Sequence, residues 1–79
     1  MDKDLDLYKC SDFNVASVLK YFNCSLVRIE RQNSKSFWFF ENSKRTQELL
    51  EQYWQGKIRG NLVDFLSVQR FMKSSIKNN

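Results

Sequence analysis

Residues 26–41 read LVRIERQNSKSFWFFE, and the spacing of their apolar side chains decides the fold. Before and after this stretch, apolar residues recur about every 3.6 positions, as on one side of a helix. Within it they alternate with a period of 2, as along a strand. Asn33–Ser34 lies at the centre, and Asn tolerates the positive φ that a two-residue hairpin turn requires. Symmetric closure there sets Ile29 opposite Trp38 and Val27 opposite Phe40 as one apolar face. Arg28, Glu30, Phe37 and Phe39 then share the other face. A three-residue loop exchanges the two, because a slip of one residue turns every side chain over.

The flanking segments supply the partners for this hairpin. DLDLYKC, residues 4–10, alternates polar and apolar positions and reads as a short strand for a later element. SDFNVASVLKYFN, residues 11–23, reads as a helix with Ser11 as N-cap and Val15, Val18, Leu19 and Phe22 on one stripe. NSKRTQELLEQYWQG, residues 42–56, is a second helix capped by Ser43 and built on Leu49, Leu50 and Tyr53. Gly56 stands where a left-handed C-terminal residue belongs. KIR is a short extended link. GNLVDFLSVQRFMKSSI, residues 60–76, is the third helix, with Asn61 as N-cap and Asp64 near the positive end of its dipole. Phe65, Val68, Met72 and Ile76 line its inner side, with Leu62 close by. The expected order is (β)-α-β-β-α-α: a small α+β domain of three helices packed on a β-hairpin. It occupies residues 1–79 as one unit, with 1–4 and 75–79 frayed.

A chain of 79 residues is near the lower size limit for a self-sufficient core, and its 15% aromatic content offsets this. No apolar run reaches the roughly 20 residues of a membrane span, and the acidic start MDKDLDLYK lacks the layout of an export signal. A cytoplasmic, reduced protein is expected. With Cys10 and Cys24 as the only cysteines and no histidine, a zinc site lacks ligands, while a disulfide between the two stays open. The usual base near neutral pH is missing, and so are phosphate-cradling glycine loops. Glu48 and Glu51 read as a solvated helix face. Neither enzyme activity nor a metal, cofactor or small-molecule substrate is expected.

The net charge of +4 is confined to one end of the chain: Lys57, Arg59, Arg70, Lys73 and Lys77 stand against Asp64 alone in residues 57–79. On the third helix Arg70, Lys73 and Lys77 share a stripe beside the core side. With Lys57 and Arg59 they suit the phosphates of a nucleic acid. The outer hairpin face is a second candidate. There Arg28 and Lys35 lie beside Phe37 and Phe39, the pairing of cation and aromatic that stacks bases. Either those phenylalanines stay exposed or a helix covers them. Phe37, Phe39, Trp54 and Phe71 would instead be the anchors of a protein contact, since aromatics carry much of the energy at interfaces. A homodimer fits both readings.

Four stretches, YKCSDFNVASVL, FWFFEN, LLEQYWQGKIR and DFLSVQRFMKSSI, resemble domain of unknown function family 5659, small bacterial and phage-associated proteins. The matching positions are Phe40–Glu41, Trp54–Gln55–Gly56 and Arg70 with Lys73. Asn23 and Ser34 stand where that pattern has glycines, and the last helix lacks the early proline. The resemblance implies a context of phages and mobile elements and carries no activity. The expected function is therefore a nucleic-acid-binding accessory protein that contacts phosphates through its C-terminal helix. The alternative is an interaction module, an inhibitor or adaptor acting on a larger host or nucleoprotein target.

Overall fold

The change of period at residue 26 is realised as an antiparallel hairpin, β2 (Leu26–Gln32) and β3 (Lys35–Glu41), turning at Asn33 with φ of 59°. The computed structural model describes residues 6–77, with side chains as far as Ser75. Ile29 pairs with Trp38, Arg28 with Phe39 and Glu30 with Phe37, the register of two-residue closure. The expected Val27–Phe40 pair does not form. A bulge between Leu26 and Arg28 sets Leu26 opposite Phe40 and leaves Val27 exposed. One extra residue in the strand moves the larger Leu26 to the core face, where it packs against the buried cluster.

The hairpin is part of a larger sheet. β1 (Leu7–Cys10) pairs antiparallel with the free side of β3, giving the order β1-β3-β2. Tyr8 faces Phe40 and Cys10 faces Trp38, so the three strands offer the helices one continuous apolar surface. Three helices therefore pack on a three-stranded sheet rather than on a hairpin alone.

α1 (Phe13–Tyr21) starts at Asp12, not Ser11. The Asp12 carboxylate accepts the N–H groups of Asn14 at 2.9 Å and Val15 at 3.3 Å, and its charge also suits the positive end of the helix. α2 (Lys44–Trp54) is capped by Ser43, which accepts the Thr46 N–H at 3.2 Å. α3 (Leu62–Lys77) is capped by Asn61, whose Oδ1 accepts the Asp64 N–H at 3.0 Å. α3 runs into the segment expected to fray as far as Lys77; residues 1–4, 78 and 79 lie outside the described residues.

Phe40, Leu19 and Met72 are fully buried, with Val15, Ala16, Trp38 and Leu49 around them. Buried hydroxyls have acceptors: Ser17 donates to the Phe13 carbonyl at 2.7 Å and Thr46 to that of Glu41 at 2.8 Å. Among the described residues, the Trp38 indole N–H is the one buried side-chain polar group without a protein partner. α1 and α3 run antiparallel. Tyr21 at the end of α1 meets Phe65 at the start of α3, while Asn14 at the other end accepts from Gln69 at 3.1 Å. The molecule measures 31 × 30 × 18 Å, and the short dimension holds one layer of helices and one of sheet.

α1 and α2 end in the same geometry. After α1, the Cys24 N–H reaches the Leu19 carbonyl and the Asn23 N–H that of Lys20, both at 2.9 Å. After α2, Lys57 reaches Gln52 at 2.9 Å and Gly56 reaches Tyr53 at 3.1 Å. The left-handed residue is Asn23 (φ 64°) in the first and Gly56 (φ 72°) in the second, so asparagine does at one helix end what glycine does at the other. Asn23→Gly should leave stability unchanged or raise it by a few tenths of a kcal/mol, and Asn23→Ala should lower it by about 1 kcal/mol. Gly56→Ala should cost about the same, although no atom lies within 4 Å of the added methyl. Urea titration of the three variants measures this; a harmless Gly56→Ala would contradict the backbone explanation.

Candidate interaction surface

Alternation along β3 sends Trp38 and Phe40 into the core and Phe37 and Phe39 to the face turned away from the helices. No helix is needed to cover these two rings, because cations do so. The Lys9 ammonium stands 4.4 Å from the Phe37 ring centroid, and the Arg28 guanidinium lies 4.3 Å over Phe39. Arg28 also donates from Nε to Glu30 Oε2 at 2.6 Å, the one ion pair found among the described residues. Phe39 is buried beneath Arg28 and Phe37 is half-buried. The hairpin face therefore presents a stacked, partly neutralised surface in place of open aromatic anchors. Lys35 is exposed at the hairpin tip.

On the opposite side of the sheet, α3 turns Phe65, Val68 and Met72 inward as its stripe requires. The side chains of Ile76 and Lys77 lie outside the described residues. Arg70 and Lys73 are exposed, and among the described residues no carboxylate forms an ion pair with either. Lys73 leans toward Phe13, its ammonium 5.8 Å from the ring centroid. Lys57 and Arg59 are exposed on both sides of Ile58, which packs against the core. Trp54 is exposed and meets Tyr53 edge-on, ring centroids 5.0 Å apart. Phe71 is exposed on the other flank of α3, with the Lys20 ammonium 5.8 Å from its centroid.

Leu62 does not join the core. It is 69% exposed, with Val63 at 71% and Leu66 at 45%. At 100° per residue these three share the outward side of α3 with Arg70. The signal was present in the sequence: Val63 and Leu66 fall outside the stripe of Phe65, Val68 and Met72, so packing against the core does not account for them.

Leu62 also borders a cleft of about 200 Å³ where three segments meet. Its walls are Val18, Tyr21 and Phe22 at the end of α1, Ile58 in the link, and Leu62 and Phe65 of α3. Arg59 contributes to the lining as well. The Tyr21 hydroxyl accepts the Asn61 N–H at 2.8 Å, fixing α1 to the start of α3. Gly60 lies flat against that ring, where a Cβ would stand 2.8 Å from Tyr21 Cε2. The two glycines of the chain, Gly56 and Gly60, thus have different tasks. Gly56 supplies a backbone angle and Gly60 supplies room.

A cation that sequence reasoning passed over sits at the same corner. Arg45 of α2 donates from Nε and Nη2 to the Phe22 carbonyl at 3.2 and 2.6 Å, at the negative end of the α1 dipole. Nothing in residues 42–56 points to so distant an acceptor.

Both cysteines are buried and free. Burial pushes the Cys10 thiol up, away from the thiolate form a nucleophile needs, and its Sγ donates to the Asp12 carbonyl at 3.3 Å. Among the described residues no group of three or more His, Cys, Asp or Glu side chains comes together as a metal site. Among them also, no helix is long and apolar enough to cross a membrane.

These features define a small α+β module whose distinctive chemistry lies on its surfaces. The chain belongs to the family described as domain of unknown function (DUF5659), whose model matches residues 5–78 and so spans all four stretches that carry the resemblance. Neither curated proteins nor solved structures provide a match.

Two measurements probe this corner and the core beside it. Gly60→Ala should cost about 1–2 kcal/mol by crowding Tyr21, and much less in a Tyr21→Leu background. Equal costs in both backgrounds would show that the ring is not what the glycine accommodates. A thiol reagent should label Cys10 and Cys24 no faster than the protein unfolds, and prompt labelling of either would contradict their burial.

Proposed function

We propose that the chain is a protein-interaction module that docks a larger protein through the outward side of α3. The exposed Leu62, Val63 and Leu66 carry this reading. Large apolar side chains on successive turns of an outward helix side form a patch of the kind that marks a binding surface. Lys57 and Arg59 precede the patch and Arg70 and Lys73 follow it, an apolar centre with a cationic rim. Such a rim favours an acidic partner and speeds its approach. Trp54 and Phe71 are exposed aromatics available to extend the contact. An inhibitor or adaptor made by a phage or mobile element, acting on a larger host or nucleoprotein target, fits a protein of this size and surface.

A nucleic-acid contact is the second reading. The exposure of Arg70 and Lys73 and the charge of residues 57–79 favour it. Two features weigh less well with it. Arg28 is engaged by Glu30 and Phe39 on the far side of the sheet. Eight residues of helix, about 12 Å, separate Leu62 from Arg70, and Leu62, Val63 and Leu66 occupy the outward side near its start.

Affinity capture from a nuclease-treated bacterial lysate separates the two. The wild-type chain should retain a defined protein that Val63→Asp/Leu66→Asp loses by about tenfold or more, a gap of about 1.4 kcal/mol. Both positions are exposed, so the double variant should fold. Capture of nucleic acid alone from untreated lysate, abolished by Arg70→Glu/Lys73→Glu and unaffected by the apolar pair, would replace the first reading with the second.

A further inference from the structure

We propose that the cleft between the end of α1, the link 57–61 and the start of α3 seats one large apolar side chain from an acidic segment of the partner. This rests on the reading of α3 as the docking side and specifies what the partner brings to it. Continuity is the first support. Leu62 belongs both to the wall of the cleft and to the exposed stripe of Leu62, Val63 and Leu66, so a chain lying on that stripe passes over the opening.

Size selects the occupant. About 200 Å³ is less than the roughly 300–1,000 Å³ of pockets that hold drug-sized ligands, and it suits a single side chain. A small molecule would also need several converging polar groups to orient it, yet the walls are mainly the apolar side chains of Val18, Phe22, Ile58, Leu62 and Phe65. The aromatic walls are held in place by one another. Tyr21 meets Phe22 edge-on at 4.9 Å and Phe65 at 6.1 Å between centroids, leaving ring edges and faces for an incoming aromatic.

Charge selects the segment that carries the side chain. Arg59 lines the cleft, Arg45 is held at the carbonyl of Phe22 in its wall, and Lys57 stands two residues before Arg59. On α3, Asp64 projects from the flank roughly opposite Leu62 at 100° per residue. Carboxylates beside the inserted side chain would meet these guanidinium and ammonium groups. A second copy of this chain is a poorer occupant, since it would bring the same cations face to face.

The test is an NMR titration of the full ¹⁵N-labelled chain with a short synthetic peptide of aspartates and glutamates around one central tryptophan. Amides of Val18, Phe22 and Phe65 should shift and saturate. Replacing the tryptophan by alanine, or the acidic residues by lysine, should each weaken binding by about tenfold or more. Leu62→Asp in the protein should do the same, while Ser34→Asp, exposed in the hairpin turn and outside the docking side, should change it by less than about twofold. Absence of shifts at the cleft, equal binding of the alanine peptide, or shifts centred on Phe37 would each overturn the proposal. Shifts confined to Leu66–Lys73 and lost in Val63→Asp would reject the cleft and leave α3 as the docking side. Loss of lysate capture on Leu66→Asp is a separate readout that stands or falls without the peptide.

Discussion

The seam between α1 and α3 is the constraint from which the surface follows. α1 has nine residues and α3 has sixteen, so one short helix must hold a much longer one against the sheet. It does so with contacts along its length: the Tyr21 ring and hydroxyl at one end, and Asn14 and Phe13 at the other. Met72, fully buried, fixes the depth of α3. With Phe65, Val68 and Met72 committed to that seam, rotation of α3 is no longer free. Leu62, Val63 and Leu66 are then carried outward by helical geometry alone. The cleft is the space left at the end of the seam, where the link turns the chain from α2 into α3.

The two faces of the sheet show how the same residue types reach different ends. Trp38 and Phe40 are enclosed by helices and their neighbours on β1 and β2. Phe37 and Phe39, one step away along β3, are roofed by Lys9 and Arg28. Each such contact is worth about 0.5–1 kcal/mol at an exposed site and also removes apolar surface from water through the side-chain stem. The protein thus shields the aromatics of its sheet and leaves the aliphatic side chains of α3 unshielded. That contrast, rather than the total charge, is what sets the proposed docking side apart.

Much of the local structure was legible because local rules govern it. The alternation of residues 26–41, the asparagine at 33, the caps at Ser43 and Asn61 and the left-handed Gly56 all rest on interactions within a few residues. What was not legible depends on distant partners. The pairing of Tyr8 with Phe40 joins residues far apart in the chain, and no turn signal announces it. Ser11 and Asp12 are both good capping residues, and it is the Asp12 side chain that accepts the free N–H groups of Asn14 and Val15. The bulge at Val27 exists because Leu26 fills the core better than Val27 would, a matter of packing across the sheet. The candidate surface was half legible. The cations were visible as charge, whereas Leu62, close to the inner stripe on the helical wheel, proves exposed at the first turn of α3.

Among the described residues the sheet has two outer strands, and an outer strand carries a row of backbone donors and acceptors that another chain can pair with. β1 limits that hazard by brevity, at four residues. β2, at seven, is long enough to template an intruding strand, and the irregularity at Val27 interrupts its rhythm. The same kink that brings Leu26 into the interior therefore also protects the border from fibrillar stacking. A deletion that straightened it would trade a well-filled core for a flat, adhesive rim.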